Sequence, residues 1–170
     1  MTTETQIKPY AFTPANGLAE VWWLGGRVAI KAGSAQTCGR SAHLEFDDPR
    51  GTAPPVHIHH GEDETFYVIS GSVTIFAGDE RIDASAGDFA FVPRGTAHSY
   101  LVTSERARML VTFSPGGIEA FFVEAGVPDD GSGVPPAEGV LPPPEELART
   151  LARYGCEIVG PPPTLADVGL

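Results

Sequence analysis

A chain of 170 residues with 42% hydrophobic side chains can bury one ordinary core and needs no disulfide scaffold to do so. Its 22 acidic residues against 11 basic ones leave a formal charge of −11, a surface that repels phosphate backbones and anionic lipid and so argues against nucleic acid as a partner. The only two cysteines, Cys38 and Cys156, stand far apart and outside any C-x-x-C spacing, which points away from a redox pair or a thiolate metal site.

The opening segment MTTETQIKPYAF carries neither the basic nor the apolar region of a signal peptide. No apolar run in the chain reaches the roughly 18 residues expected of a membrane helix. The expectation is a soluble, cytoplasmic protein.

From Val21 to Phe113 short strand-forming runs alternate with turn residues. VWWL and RVAIKA flank Gly25-Gly26, the pattern of a hairpin. SAHLEF follows as a strand, then a Pro/Gly-rich loop around DDPRGTAPP. TFYVI and VTIFA flank Ser70-Gly71-Ser72, which predicts a second hairpin. AGDERIDASAGD holds two more turn signals, and FAFV, HSYLV and RMLVTF complete the series. Short strands at this spacing, with no helical pattern between them, predict an all-β sandwich or barrel.

Past Gly117 the pattern changes. Ile118, Phe121, Phe122 and Ala125 fall at helical spacing and Gly126 supplies a stop. Residues from about Pro128 to Pro144 are rich in Pro and Gly and read as a linker. Pro144 and the two glutamates after it suit the start of a second helix that runs to about Tyr154, where Gly155 ends it. CEIVG reads as a last short strand. Residues 1–116 are therefore expected to form the barrel with its N-terminal strands, and 117–170 a C-terminal extension.

The chemistry concentrates in two segments. In the first, His57 and His59 are two residues apart on a predicted strand, so their imidazoles project from one face. If residues 60–63 form a hairpin loop, Glu64 returns beside His59 across the strand pair. Glu62 is a second candidate carboxylate, which the shorter loop disfavours, and His60 lies out of phase with the pair. In the second segment Pro93 and Gly95 bend the chain after a strand, Gly95 with positive φ, and His98 opens the next strand as a third imidazole. Three imidazoles and a carboxylate suit one divalent transition ion, whether Fe, Mn, Ni, Co, Cu or Zn, rather than Mg or Ca.

These segments resemble the two motifs of the cupin superfamily, G-x5-H-x-H-x4-E-x6-G and G-x5-P-x-G-x2-H-x3-N. Gly51, His57, His59, Glu64 and Gly71 match the first, and Gly87, Pro93, Gly95 and His98 match the second. Val102 stands where the second motif ends in Asn, a position that supplies no metal ligand. The resemblance implies a double-stranded β-helix (jelly-roll) cupin barrel with a C-terminal helical extension, paired as a homodimer. The SPGG stretch from Ser114 and a helix carrying Phe121 and Phe122 are similar to bacterial quercetin 2,3-dioxygenase-like proteins. That similarity implies a metal-dependent dioxygenase taking dioxygen and a small flavonol-like aromatic or enol-ketone, with Glu64 both ligand and catalytic base. The alternatives are a cupin that binds a small molecule without turning it over and a redox-neutral isomerase or lyase.

By strand alternation Phe66 shares a face with Glu64, and Tyr100 with His98, so both are expected as walls of the substrate pocket or as barrel core. Phe89, Phe91 and Phe113 are expected in the core, His43 as a hydrogen-bonded wall residue, and Arg94 as a solvated turn residue.

Overall fold

The computed structural model describes Pro9, Ala11 and residues 18–136 and 142–170. Most of the opening segment read above, and residues 137–141 of the expected linker, lie outside the described residues.

The elements in chain order are β1 (Ala19–Trp23), β2 (Gly26–Ala32), the short helix α1 (Ser34–Thr37), β3 (Ala42–Pro49), β4 (Val56–His59), β5 (Asp63–Ser70) and β6 (Ser72–Ala77). They continue with β7 (Glu80–Ser85), β8 (Phe89–Val92), β9 (His98–Val102), β10 (Arg106–Ser114), α2 (Glu119–Ala125), β11 (Val127–Pro128), α3 (Pro144–Arg153) and β12 (Cys156–Gly160). A 3-10 turn over Leu165–Val168 ends the chain. The strands form two antiparallel sheets, ordered β11-β1-β2-β3-β10-β5-β8 and β12-β4-β9-β6-β7, which face each other as the two walls of a jelly-roll barrel.

Strict two-residue alternation makes the core. On β3, Ala42, Leu44, Phe46 and Asp48 point inward, and on β10 Ala107, Met109, Val111 and Phe113 do the same. Across the interior they meet Val73, Ile75, Tyr100 and Val102 from the smaller sheet. One inward position in this run, Asp48, is a carboxylate rather than an apolar side chain.

The first hairpin forms, but with Leu24 and Gly25 as its two loop residues, both at positive φ. Gly26 is the first residue of β2 and pairs with Trp23. It must be glycine for a different reason: a Cβ there would stand 1.8 Å from Asp48 Oδ1.

The hairpin expected at Ser70-Gly71-Ser72 does not exist. β5 belongs to the seven-stranded sheet and β6 to the five-stranded one, so Gly71 is a corner where the chain changes sheets. The corner is tight. Gly71 has φ +80, and a Cβ on it would come within 2.2 Å of the Arg106 carbonyl oxygen. The expected hairpin between His59 and Glu64 fails for the same reason, because β4 and β5 also lie in opposite sheets. The turn-rich stretch AGDERIDASAGD contains a full strand, β7, which pairs with β6 from Ser72↔Ser85 to Ala77↔Glu80.

Phe113 is core, but Phe89 and Phe91 are not. They are 62% and 54% exposed, on the outer face of β8, the last strand of its sheet. Their inward neighbours Ala90 and Val92 take the core positions.

Beyond residue 117, α2, α3 and β12 pack onto the barrel. α2 packs Phe121 and Phe122 edge-on against Trp23 at 5.1 and 6.2 Å. Leu147 and Leu151 of α3 are buried one helical turn apart. β12 is an integral edge strand, pairing Cys156 with His59 and Ile158 with His57.

Candidate metal centre

His57, His59, Glu64 and His98 converge. Each offers a ligand atom, and those atoms all lie within 4.8 Å of one another. β4 supplies His57 and His59 on its inner face, and β9 brings His98 directly opposite His57 as its antiparallel partner. Glu64 reaches in from the other sheet, where β5 holds it between Phe113 of β10 and Val92 of β8. The convergence runs across the barrel interior rather than along a hairpin. Glu64 Oε2 lies 2.7 Å from His98 Nε2 and 3.3 Å from His59 Nε2.

The bend before His98 is fixed by two contacts. Gly95, at φ +81, donates its N–H to the His59 carbonyl at 2.8 Å. Arg94 grips Asp63 through Nε and Nη2 at 3.0 and 2.8 Å, while its backbone N–H donates to the same carboxylate at 3.0 Å. Arg94 is thus a clamp that ties the bend to the start of β5, one residue before Glu64, and not merely a solvated turn residue. Hydrogen bonds from its side chain and backbone, with its charge adding to them, hold the Asp63 carboxyl down to about 2.

Burial and mutual contact set the protonation states. Burial pulls the His57 imidazole down to about 4, and the neighbouring His98 adds to the effect, so His57 stays neutral. For Glu64 burial pushes upward, but hydrogen bonds from His59 and His98 outweigh it and the carboxyl is held well below the usual range. For His98 burial pulls down, yet the hydrogen bond and charge of Glu64 prevail and raise it. Both shifts have one cause, the close contact of the Glu64 carboxylate with the His98 imidazole.

The residues fit a divalent transition ion. His57 and His98 each have Nδ1 within hydrogen-bond distance of a backbone carbonyl two residues earlier, Pro55 O at 2.7 Å and Thr96 O at 2.9 Å. A carbonyl only accepts, so Nδ1 carries the hydrogen and the Nε2 lone pair is free to coordinate. Together with His59 and the ionised Glu64 these two imidazoles form an N3O set with room for further ligands.

Above the four residues lies a cavity whose walls are Trp23, Phe46, Pro54, Pro55, Tyr100, Phe113, Ile118, Phe121, Phe122, Leu147, Leu151, Cys156 and Ile158. No lysine or arginine is among its lining residues. Tyr100 lines it and also belongs to the core. Phe66 does not line it: it is fully buried in the core, with its ring 6.0 Å from that of Tyr100. Phe66 shares the inner face of β5 with Glu64 but is taken up by the core. His60 is exposed and bonds Glu157 at 2.9 Å, and His43 bridges Ser41 and Thr112 at 2.9 and 3.0 Å.

Several wall residues escaped sequence reading. Leu147 and Leu151 at i, i+4 were legible as an apolar helix face, but nothing in the sequence said that this face would cover the cavity. Cys156 is buried against the centre, where burial and the nearby Glu64 and Glu62 push its thiol up to about 12.

Barrel, inward cluster and aromatic cavity together define a small jelly-roll β-barrel with an N3O set able to hold a metal ion. Residues 44–113 match the family model of the cupin domain, and the barrel is a cupin domain in a chain that resembles quercetin dioxygenase-like proteins. Quercetin 2,3-dioxygenase of Bacillus subtilis (strain 168) is 33% identical over 102 residues, which cover 60% of this chain and 30% of that protein. The match thus spans less than a third of the relative's length. KdgF from Halomonas sp. shares the fold with a TM-score of 0.59 at 19% identity, over 66% of this chain and 99% of that one. Pac13, a nucleoside dehydratase, does so with a TM-score of 0.55 at 20% identity, over 66% and 88%. Among the described residues no helix is long and apolar enough to cross a membrane.

Proposed function

We propose that this cupin is a metal-dependent dioxygenase acting on a small, planar aromatic enol-ketone of the flavonol type. One observation carries the reading: the cavity over the N3O cluster is walled by aromatic and aliphatic side chains, with no cation to hold a phosphate or carboxylate. That wall disfavours sugar phosphates and keto acids, the usual substrates of a redox-neutral isomerase or lyase. It favours a flat, uncharged ring system stacked edge-on among Trp23, Phe46, Phe121 and Phe122.

When bound, the ion supplies Lewis-acid and redox chemistry toward an enolate and dioxygen. The rest belongs to the protein. Phe113, Phe121 and Leu151 exclude water and hold the ring against the cluster. Glu64 is kept ionised by its imidazole neighbours, the state needed both to ligate and to accept a proton at Oε2. Those contacts make it a weak base, so the proton it takes must be acidic, as an enol beside a conjugated ketone is. The similarity to the Bacillus subtilis enzyme supports the same substrate class.

The partners proposed are the substrate, dioxygen and a second copy of the chain, in a cytoplasmic setting. The face that supports a homodimer is the outer edge of β5 and β8, where Tyr67, Ile69, Phe89 and Phe91 are all exposed. Such a row of large apolar groups beside an open strand edge is what a two-fold interface covers.

The test is oxygen consumption with a panel of flavonols and diketones, after reconstitution with Fe, Mn, Co, Ni or Cu in turn. Uptake that needs both metal and His98 is expected. Tight flavonol binding without uptake under any metal would instead make the protein a non-catalytic binder, and a rearranged product without oxygen consumption would make it an isomerase or lyase.

A further inference from the structure

Two of the three histidines have their outer nitrogen fixed by the backbone, and the third does not. His57 and His98 each present Nδ1 to a carbonyl two residues back on the chain. His59 Nδ1 has no hydrogen-bond partner although it is buried. The group facing it is Glu62 Oε2, 3.8 Å away, itself buried and also without a partner. Two complementary polar atoms, each expensive to bury unpaired, thus face each other across a gap slightly too long for a hydrogen bond. Small rotations of the Glu62 side chain close it, and Gly61 beside it has open space around its Cα.

We propose that Glu62 is the positioning carboxylate of this centre: it accepts the Nδ1 hydrogen of His59 and so fixes that imidazole with Nε2 toward the ion. The inference rests on the reading of His57, His59, Glu64 and His98 as metal ligands. It gives Glu62 a role distinct from that of Glu64. Glu64 faces Nε2 of His59 at 3.3 Å from inside the cluster, and Glu62 faces Nδ1 from behind. The sequence HIHHGEDE therefore encodes both carboxylates, two residues apart, with the loop before β5 sending one behind the ring and the strand sending the other in front.

A carboxylate behind a ligating imidazole does two things. It removes the freedom of the ring to flip or change tautomer, and it makes the imidazole a stronger donor. A backbone carbonyl does the first but carries no charge. His59 is therefore the ligand through which this site is electronically tuned, and the second negative charge favours retention of the cation against dissociation.

The experiment compares wild type, Glu62→Gln, Glu62→Ala and the surface control Glu157→Gln, each titrated with Zn(II) against a competing chelator at one pH. Loss of metal affinity by 10–100-fold is expected for Glu62→Ala, in line with the removal of such outer partners. A smaller loss is expected for Glu62→Gln, whose amide oxygen still accepts the hydrogen, and none for Glu157→Gln. Nitrogen-15 NMR of the zinc-loaded protein supplies a readout that a merely structural role would not move. The Nδ1 hydrogen of His59 should be protected from exchange in wild type and Glu62→Gln and exposed in Glu62→Ala, with those of His57 and His98 unchanged in all. Should the alanine variant fail to fold, the glutamine variant's intermediate affinity and retained Nδ1 protection carry the test. Zinc affinity in a folded Glu62→Ala within twofold of wild type, or an unchanged His59 Nδ1 signal, overturns the proposal while leaving the metal centre standing. Wild type that takes up no zinc overturns both.

Discussion

Tyr100, on the five-stranded sheet, donates its hydroxyl to Asp48, on the seven-stranded sheet, at 2.7 Å inside the barrel. Burial pushes the Asp48 carboxyl up to about 7, and the Tyr100 hydrogen bond offsets only part of that. The folded protein therefore binds this proton below about 7, whereas the unfolded chain binds it only below about 4. Across that window the folded state holds more protons, so stability from this group is full at low pH and is lost as pH rises through 7.

Asp48→Asn removes the titration while keeping an oxygen for Tyr100. Its stability relative to wild type should rise between pH 4 and pH 8, by as much as about 4 kcal/mol if the full shift is expressed. Urea unfolding of both metal-free proteins at several pH values measures this, and parallel curves would remove Asp48 as a buried titrating acid.

Gly71 carries two independent constraints, and Gly87 only one. Both have positive φ, but a Cβ at Gly71 meets the Arg106 carbonyl whereas at Gly87 it meets nothing within 4 Å. Gly87→Ala should cost about 1 kcal/mol from backbone strain alone. Gly71→Ala must also move the β10 backbone and should cost about 3 kcal/mol or more, a drop of roughly 6–12 °C in Tm for a chain of this size. Equal thermal shifts in the two variants would contradict the sheet-changing corner.

That corner also shows where sequence reading stopped. Alternation and turn residues located most strands, because both signals are local. Nothing local says whether the chain after Gly71 folds back on its own strand or crosses to the facing sheet. The four-residue cluster was legible nonetheless, since His57 and His59 share a face whichever strand lies beside them, and motif spacing supplied Glu64 and His98. Phe89 and Phe91 were misplaced because alternation fixes which residues share a face and not which face looks inward. On β8 the smaller Ala90 and Val92 won the interior. Asp48 was readable as the one acid in phase with Ala42, Leu44 and Phe46, but its partner Tyr100 lies 52 residues away.

Metal binding should be acid-sensitive, with His98 leading. Its contact with Glu64 raises it above the ordinary histidine value, so it is the first of the two shifted imidazoles to take a proton as pH falls, while burial keeps His57 neutral down to about 4. The cation must displace that proton, so affinity begins to fall before pH reaches about 6.5. Calorimetry of Zn(II) binding in buffers of different ionisation heat should register proton release that grows as pH falls from 8 toward 6.5. Affinity unchanged from pH 8 to pH 5.5 would count against these ligands.

Glu64→Gln separates ligation from proton transfer. The amide still offers a neutral oxygen, so the site should fill at excess metal. Without a basic oxygen, oxygen uptake with flavonol should fall by about 100-fold or more. A metal-filled variant with full activity would take the base role away from Glu64.

Phe89 and Phe91 give a last expectation, because their exposure separates association from folding. Their rings lie on the solvent side of β8, cross-strand from Tyr67 and Thr65 on β5, and contribute nothing to the packed interior. Replacing both by serine should change the stability of an isolated chain by no more than about 1 kcal/mol, twice the range for a single surface substitution. If this face pairs two copies, the same double variant loses the apolar centre of the interface, and the dissociation constant should rise by 100-fold or more, since two aromatic side chains leave a desolvated contact on each copy. Sedimentation velocity across a concentration series reads the association, and thermal unfolding at low concentration reads the fold. A wild-type monomer at high concentration, or a dimer indifferent to both substitutions, would assign the aromatic row on β5 and β8 to some other use.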